Sequence, residues 1–218
     1  MQQALQRTTV RGPTFVRLLA RLGDVDAAQS SQTLPDRLSQ WLDWKQSITL
    51  STALDGKPPA PVDGVPAFDR AVEDDCTRIR ATLVEAITTD RYMTAVGDYK
   101  VFRQRYLVLQ RSMLASTGNL RGRLRDMLTP VSDAMARLAE VDAVMEAALS
   151  PREQALLGRV PALLETHYDR LRQAAPLAGD NAPAAWLEVF RKDMQGVLLA
   201  ELDVRFQPVD ALLAALRT

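Results

Sequence analysis

The sequence predicts an all-α protein, an elongated bundle of six to eight helices with some kinked at proline. Three observations carry that expectation. Leu occurs 31 times and Ala 30 times among 218 residues, and these are strong helix formers. Ile, which favours strands, occurs three times, at Ile48, Ile79 and Ile87. Apolar residues recur at three- and four-residue steps, and no strand-like alternation of useful length is present.

The elements follow in order. Pro13 to Leu22 reads as a short helix with Phe15, Leu18, Leu19 and Leu22 on one face and Gly23 as its stop. A second helix is expected from Leu34 to Leu54, with Pro35 in its first turn and Leu38, Trp41, Leu42, Trp44 and Ile48 giving it a wide apolar face. Asp55 to Pro66 holds Pro58, Pro59, Pro61, Pro66, Gly56 and Gly64, which block or loosen helix. It reads as a linker (55–66) between an N-terminal helical segment (1–54) and a main bundle (67–218). Phe68 to Thr88 and Tyr92 to Thr117 are the next helices, the second with Tyr99, Phe102, Tyr106, Leu109 and Met113 in step.

A longer stripe runs Leu120, Leu124, Met127, Val131, Met135, Leu138, Val141, Met145 and Leu149, and keeps its phase through Pro130. That continuity predicts two nearly collinear segments. Ser150-Pro151-Arg152-Glu153 has the form of a capping box and predicts a helix start, with Pro161 kinking the helix that follows to about Ala174. Pro176 to Pro183 reads as a loop. A last helix from near Pro183 carries Trp186, Phe190, Met194, Val197, Leu202 and Phe206, and Pro208 is expected to interrupt it.

Composition narrows the function classes. An apolar fraction of 47% is too high for a disordered chain, and no run approaches the roughly 18 apolar residues that span a bilayer. The polar stretch Met1 to Thr9 does not resemble a signal peptide, so a cytoplasmic protein with a reduced thiol is expected. One cysteine, Cys76, excludes an intrachain disulfide, and one histidine, His167, excludes a site needing two histidines. No glycine-rich phosphate loop, nucleophile elbow or dinucleotide fingerprint is present.

Weak hints of chemistry have simpler readings beside them. Asp98-Tyr99-Lys100 matches the acidic-x-lysine end of metal-dependent nucleases, yet reads more readily as a solvated helix start. Glu73, Asp74 and Asp75 could ligate a metal, but more often complement a helix N-terminus. Cys76 has no base near it in sequence. His167 lies on an apolar helix phase, where a lone histidine is usually bonded to a neighbour. No catalytic residue, metal ligand, cofactor or small-molecule substrate is expected.

Charge is more informative. Lys plus Arg and Asp plus Glu are 27 each, yet residues 100–125 carry seven basic residues and no acidic one. Lys100, Arg103, Arg105, Arg111, Arg121, Arg123 and Arg125 are therefore candidates for phosphate contact with DNA. The competing reading pairs them with the acidic windows on either side, 63–99 and 126–169. Phe15, Arg17, Leu18, Arg21 and Leu22 form a basic amphipathic face that could dock a partner or pack on the bundle. Long apolar helices also allow a homodimer.

Five strings carry a family resemblance across essentially the whole chain: RGPTFVRLLARLGDVD (11–26), LSQWLDWKQSITLSTAL (38–54), YKVFRQRYLVLQRSM (99–113), LAEVDAVMEAAL (138–149) and LLAELDVRFQPVDALLAAL (198–216). Together they resemble a proteobacterial family known as a domain of unknown function. Its members are similar to the first cytosolic accessory protein of type III Zorya anti-phage systems. The resemblance implies a role in defence against phage, with a membrane-embedded, ion-driven motor and a second accessory protein as partners. It implies no active-site residues. The expectation is a non-enzymatic effector that binds DNA or a partner protein. The alternatives are a pure protein-binding scaffold and, less favoured, a metal-dependent nuclease.

Overall fold

The computed structural model describes residues 14–23, 34–57, 68, 70–89, 98–175 and 182–218. The expected linker from Pro58 onward, the Tyr92–Gly97 stretch and the Pro176–Asn181 loop lie outside the described residues. Among the described residues there are eight helices and no strand. They are α1 (Thr14–Leu22), α2 (Leu34–Trp41), α3 (Trp44–Asp55), α4 (Arg70–Thr88), α5 (Tyr99–Leu128), α6 (Asp133–Leu157), α7 (Val160–Ala174) and α8 (Ala182–Leu216). The fold is the all-α bundle that composition and periodicity predict.

Several boundaries differ from expectation, each for a local physical reason. The helix expected over Leu34–Leu54 breaks before Asp43. That side chain accepts the Gln46 amide at 2.7 Å while Gln46 Oε1 accepts the Asp43 amide at 2.9 Å. This reciprocal pair satisfies two orphan donors and starts α3 as a separate helix. The chain between α5 and α6 turns back rather than continuing in line. Ser132 caps α6 through the Met135 amide, and Gln110 Nε2 donates to the Leu157 carbonyl at 3.3 Å. Those residues are 47 apart, about 70 Å along a straight helix. The hydrophobic phase that continues through Pro130 does not mark a continuous buried face either: Val131 and Leu138 are exposed, and α6 buries Ala136, Ala139, Ala148 and Leu157 instead.

The Ser150–Glu153 box does not start a helix. α6 runs through it with Pro151 inside. The carbonyl that Pro151 leaves without a partner belongs to Ala147, an exposed residue, so water can take it up. The break falls instead at Gly158–Arg159, where the Gly158 amide closes α6 on the Gln154 carbonyl at 2.8 Å. Pro161 consequently sits in the first turn of α7, where its missing N–H is harmless, and produces no kink. Pro208 likewise lies inside α8, which continues for 35 residues.

α8 is the spine. It packs on α5 most extensively and also on α1, α4 and α7. Phe190, Met194, Val197, Leu198 and Val209 of α8 are completely buried. Phe190 makes edge-on contacts with Phe102 at 5.2 Å and Tyr168 at 5.1 Å, and Tyr168 meets Trp186 at 5.1 Å. α6 lies on the other flank of α5 and carries α3 on its outer side. Arg137 of α6 donates to the Gly56 carbonyl, and Arg152 stacks over the Trp41 ring at 4.9 Å, so α3 runs antiparallel to α6. α1 and α3, both from the N-terminal segment, thus each pack on helices of the 67–218 segment.

Candidate functional site: the charged faces of α5 and α1

α5 presents its apolar stripe, Phe102, Tyr106, Leu109, Met113, Leu120 and Leu124, to the core. Its seven basic residues therefore leave by the flanks and the outer face, and their surroundings divide them. Arg121 Nη2 meets Asp142 at 2.7 Å and its Nη1 meets Glu146 at 3.2 Å. Arg125 Nη1 bridges the same two carboxylates at 2.9 and 2.6 Å. Burial lowers the Arg125 guanidinium, but the bonds from Glu146 and Asp142 outweigh it and hold its pKa above the ordinary value. Arg123 pairs with Asp75 of α4, which Arg78 also contacts. The Arg123 hydrogen bond, then the Arg123 and Arg78 charges, depress the Asp75 carboxyl despite some desolvation. Arg105 is half-buried and donates to the Ala86 carbonyl at 3.5 Å. These four cations fasten α5 to α4 and α6, as the competing reading of the charge windows requires.

The other three face solvent. Lys100 is 88% exposed, 3.6 Å from Asp98. Arg103 is exposed, and the exposed Arg111 bonds through Nε to its own helix at the Leu107 carbonyl. The basic strip left open on α5 is thus Lys100, Arg103 and Arg111.

The amphipathic N-terminal face points inward. Phe15 and Leu22 are buried, Leu18 packs against the same core, and α1 lies on α7 and α8. Arg21 pairs with Asp193 of α8 at 3.1 Å, and the exposed Arg17 bonds to Thr14. Of the residues expected to meet a partner, Phe15, Leu18 and Leu22 are already covered by this chain, because a helix with a hydrophobic stripe buries it against the nearest apolar surface.

The hints of chemistry resolve into structure. Asp98 caps α5 through the Lys100 amide. Glu73 pairs with Arg217 at 2.7 Å, and Asp75 is held by arginines. Cys76 is buried; desolvation, then the Asp75 charge, push its thiol pKa up, away from the reactive thiolate. Among the described residues no three His, Cys, Asp or Glu side chains converge as a metal site.

One cluster escaped sequence reasoning. Glu201 of α8 is 0% exposed. It accepts from the Tyr106 hydroxyl at 2.6 Å, from Gln110 at 3.1 Å, and from Arg205 Nε and Nη2 at 2.9 and 2.8 Å. Arg205 extends to Glu153 of α6 at 3.1 Å. Burial, then the Glu201 charge, raise the Tyr106 phenol far above its ordinary value, so it remains a donor. The available signal was Glu201 and Arg205, four and eight residues after Val197, on the buried stripe of an apolar helix. The adjoining cleft, about 110 Å³ and lined by Gln110, Arg111, Leu114, Gln154, Leu157 and Arg205, is below the several hundred Å³ of a typical small-molecule site.

The whole chain, residues 1–218, matches the family described as "Protein of unknown function (DUF3348)". The chain belongs to the DUF3348 family. No curated protein and no solved structure matches it. In this DUF3348 chain, then, one half of the basic window is structural and the other half faces outward. No helix among the described residues is long and apolar enough to cross a membrane.

Proposed function

We propose that this protein is a non-enzymatic adaptor that works by holding another protein. Its setting would be the cytosolic side of a motor-coupled anti-phage system of the Zorya kind that its sequence resembles, and its partner the second accessory protein or the motor's cytosolic tail. The observation that supports this reading is the placement of uncovered apolar side chains. Of the twelve large apolar residues that are exposed among the described residues, six belong to α3, α6 and the turn before α6: Trp44, Ile48, Leu54, Val131, Leu138 and Leu156. Trp44 is 81% exposed, and exposed apolar concentrations of this kind mark protein contacts. The test is binding of the purified protein to the second accessory protein and to the detergent-solubilised motor. Trp44→Ser and Leu138→Ser should each weaken capture by at least about tenfold while leaving the helical content unchanged. Undiminished capture by both variants would remove the reading.

A second reading is supported by the open strip of Lys100, Arg103 and Arg111, which suits a phosphate backbone. Reversing these three to Glu should lower the slope of DNA affinity against salt by about one unit per lost phosphate contact. A slope unchanged by the triple reversal would leave DNA without a place in the function.

A further inference from the structure

α1 is seated by the burial of Phe15 and Leu22 and by a polar clasp at its C-terminal end. His167 of α7 is the centre of that clasp and is 5% exposed. Its Nε2 lies 2.8 Å from Oδ2 of Asp193 on α8. Its Nδ1 lies 3.0 Å from Nη2 of Arg170, one turn further along α7. A guanidinium has donors only, so Nδ1 must present a lone pair to Arg170. The ring proton therefore sits on Nε2 and is donated to Asp193, which is the neutral imidazole. The same Arg170 Nη2 also donates to the Leu22 carbonyl at 3.1 Å, and Asp193 Oδ1 accepts from Arg21 of α1 at 3.1 Å. Among the described residues, these two polar ties of α1 thus pass through groups that touch this one ring.

We propose that His167 is an acid-operated release for α1. Uptake of a proton at Nδ1 converts the acceptor facing Arg170 into a second donor. Arg170 is then repelled from the ring and drawn off the Leu22 carbonyl. The imidazolium also competes with Arg21 for Asp193. The groups around the ring are Arg170 from its own helix, Asp193 with the Phe190 ring, 6.2 Å away, from α8, and Arg21 of α1, which reaches the ring only through Asp193. With a neutral ring, Arg21 is the cation on the Asp193 carboxylate; with a protonated ring, Arg21 and the imidazolium share it, and the imidazolium also faces Arg170. Once released, α1 would offer Phe15, Leu18 and Leu22 as a docking face. This inference stands independently of the adaptor reading, since it concerns only how α1 is held.

The single histidine makes the test direct. Its ring signal and the amide exchange protection of α1, corrected for the intrinsic pH dependence of exchange, are followed by NMR on the full chain from about pH 8 to about pH 5. α1 protection should fall by about tenfold or more relative to α5, with the midpoint of the His167 titration. In His167→Gln, the amide nitrogen can donate to Asp193 and the amide oxygen can accept from Arg170, so α1 protection should stay level across the range. If that variant fails to fold, the unmodified protein decides alone. α1 protection that stays flat across the range, whether or not the ring titrates, or a His167→Gln protein that keeps the original pH response, overturns the proposal.

Discussion

The α5–α8 seam and the α3–α6 seam are both helix pairs, yet they are closed by different means. Between α5 and α8 the contact is made by Phe102, Tyr106, Met113, Phe190, Met194 and Phe206, all essentially without solvent access. Between α3 and α6 the fully buried residues are small, Ala53, Ala136 and Ala148. These three stand outside the continuous core cluster. Large side chains remove far more apolar area from water, at about 25 cal/mol per Å², so the inner seam holds most of the hydrophobic stabilisation. The outer seam is tied by a backbone-directed contact, Arg137 to Gly56 at the end of α3, and beside it Arg152 of α6 stacks over Trp41 at the end of α2. The difference teaches that one chain can combine a spine closed by large buried side chains with an outer layer joined through small ones.

That contrast can be broken most forcefully at Phe190. Phe190→Ala, which removes the ring that Tyr99, Phe102 and Tyr168 surround, should lower unfolding free energy by about 3–5 kcal/mol in urea titration. Glu201→Ala should approach the same loss, about 3–5 kcal/mol, by leaving buried Arg205 with only the partly exposed Glu153 as its carboxylate. The double change Glu201→Met with Arg205→Met should recover most of it, and the three urea midpoints measure the difference. Asp142→Ala, which withdraws an acceptor from both Arg121 and Arg125, should cost about 1.5–3 kcal/mol. It should loosen α6 more than α8 in hydrogen exchange. Trp44→Ser on the outer layer should move stability by no more than about 0.5 kcal/mol by thermal melting, since its side chain is already in water. A large loss there would place Trp44 in this chain's own core and end the contrast.

A smaller effect separates the seams by pH. The Asp75 carboxyl is depressed by Arg123 and Arg78, so its contribution to the α4–α5 seam is complete above its unfolded value of 3.8. The contribution is lost as pH falls through the lower folded value. Asp75→Asn should remove that acid sensitivity while changing neutral-pH stability only slightly, as read from melting between about pH 2 and pH 7.

The bundle class could be read from leucine, alanine and the three-to-four spacing because that period is itself the geometry of a helix. The joints could not be read with the same security. Ser150-Pro151-Arg152-Glu153 meets every local rule for a helix start, yet α6 passes through it, because Ala147 faces water and Glu153 is claimed by Arg205. Asp43 and Gln46 met the same rule and did start a helix. Only tertiary surroundings distinguish the two. Of the candidate site, the opposition of basic and acidic windows foretold that some arginines would pair within the bundle. Which of them pair depends on the turn at Thr129–Ser132, which swings Asp142 and Glu146 back beside Arg121 and Arg125. The buried Glu201 was hidden because a charge on an apolar stripe is legible only once its partners, 91 to 95 residues away, are known.

The length of α8 also governs the order in which the molecule can be assembled. It follows the other seven helices in the chain, and its ties reach back 95 residues to Tyr106, 123 to Arg80 and 172 to Arg21. A nascent polypeptide lacking α8 would leave the inner faces of α1, α4, α5 and α7 without their common support. Such distant closures slow a folding reaction. Synthesis therefore leaves an interval in which the apolar faces that α8 covers stay open, the stage at which such a chain is most prone to aggregate.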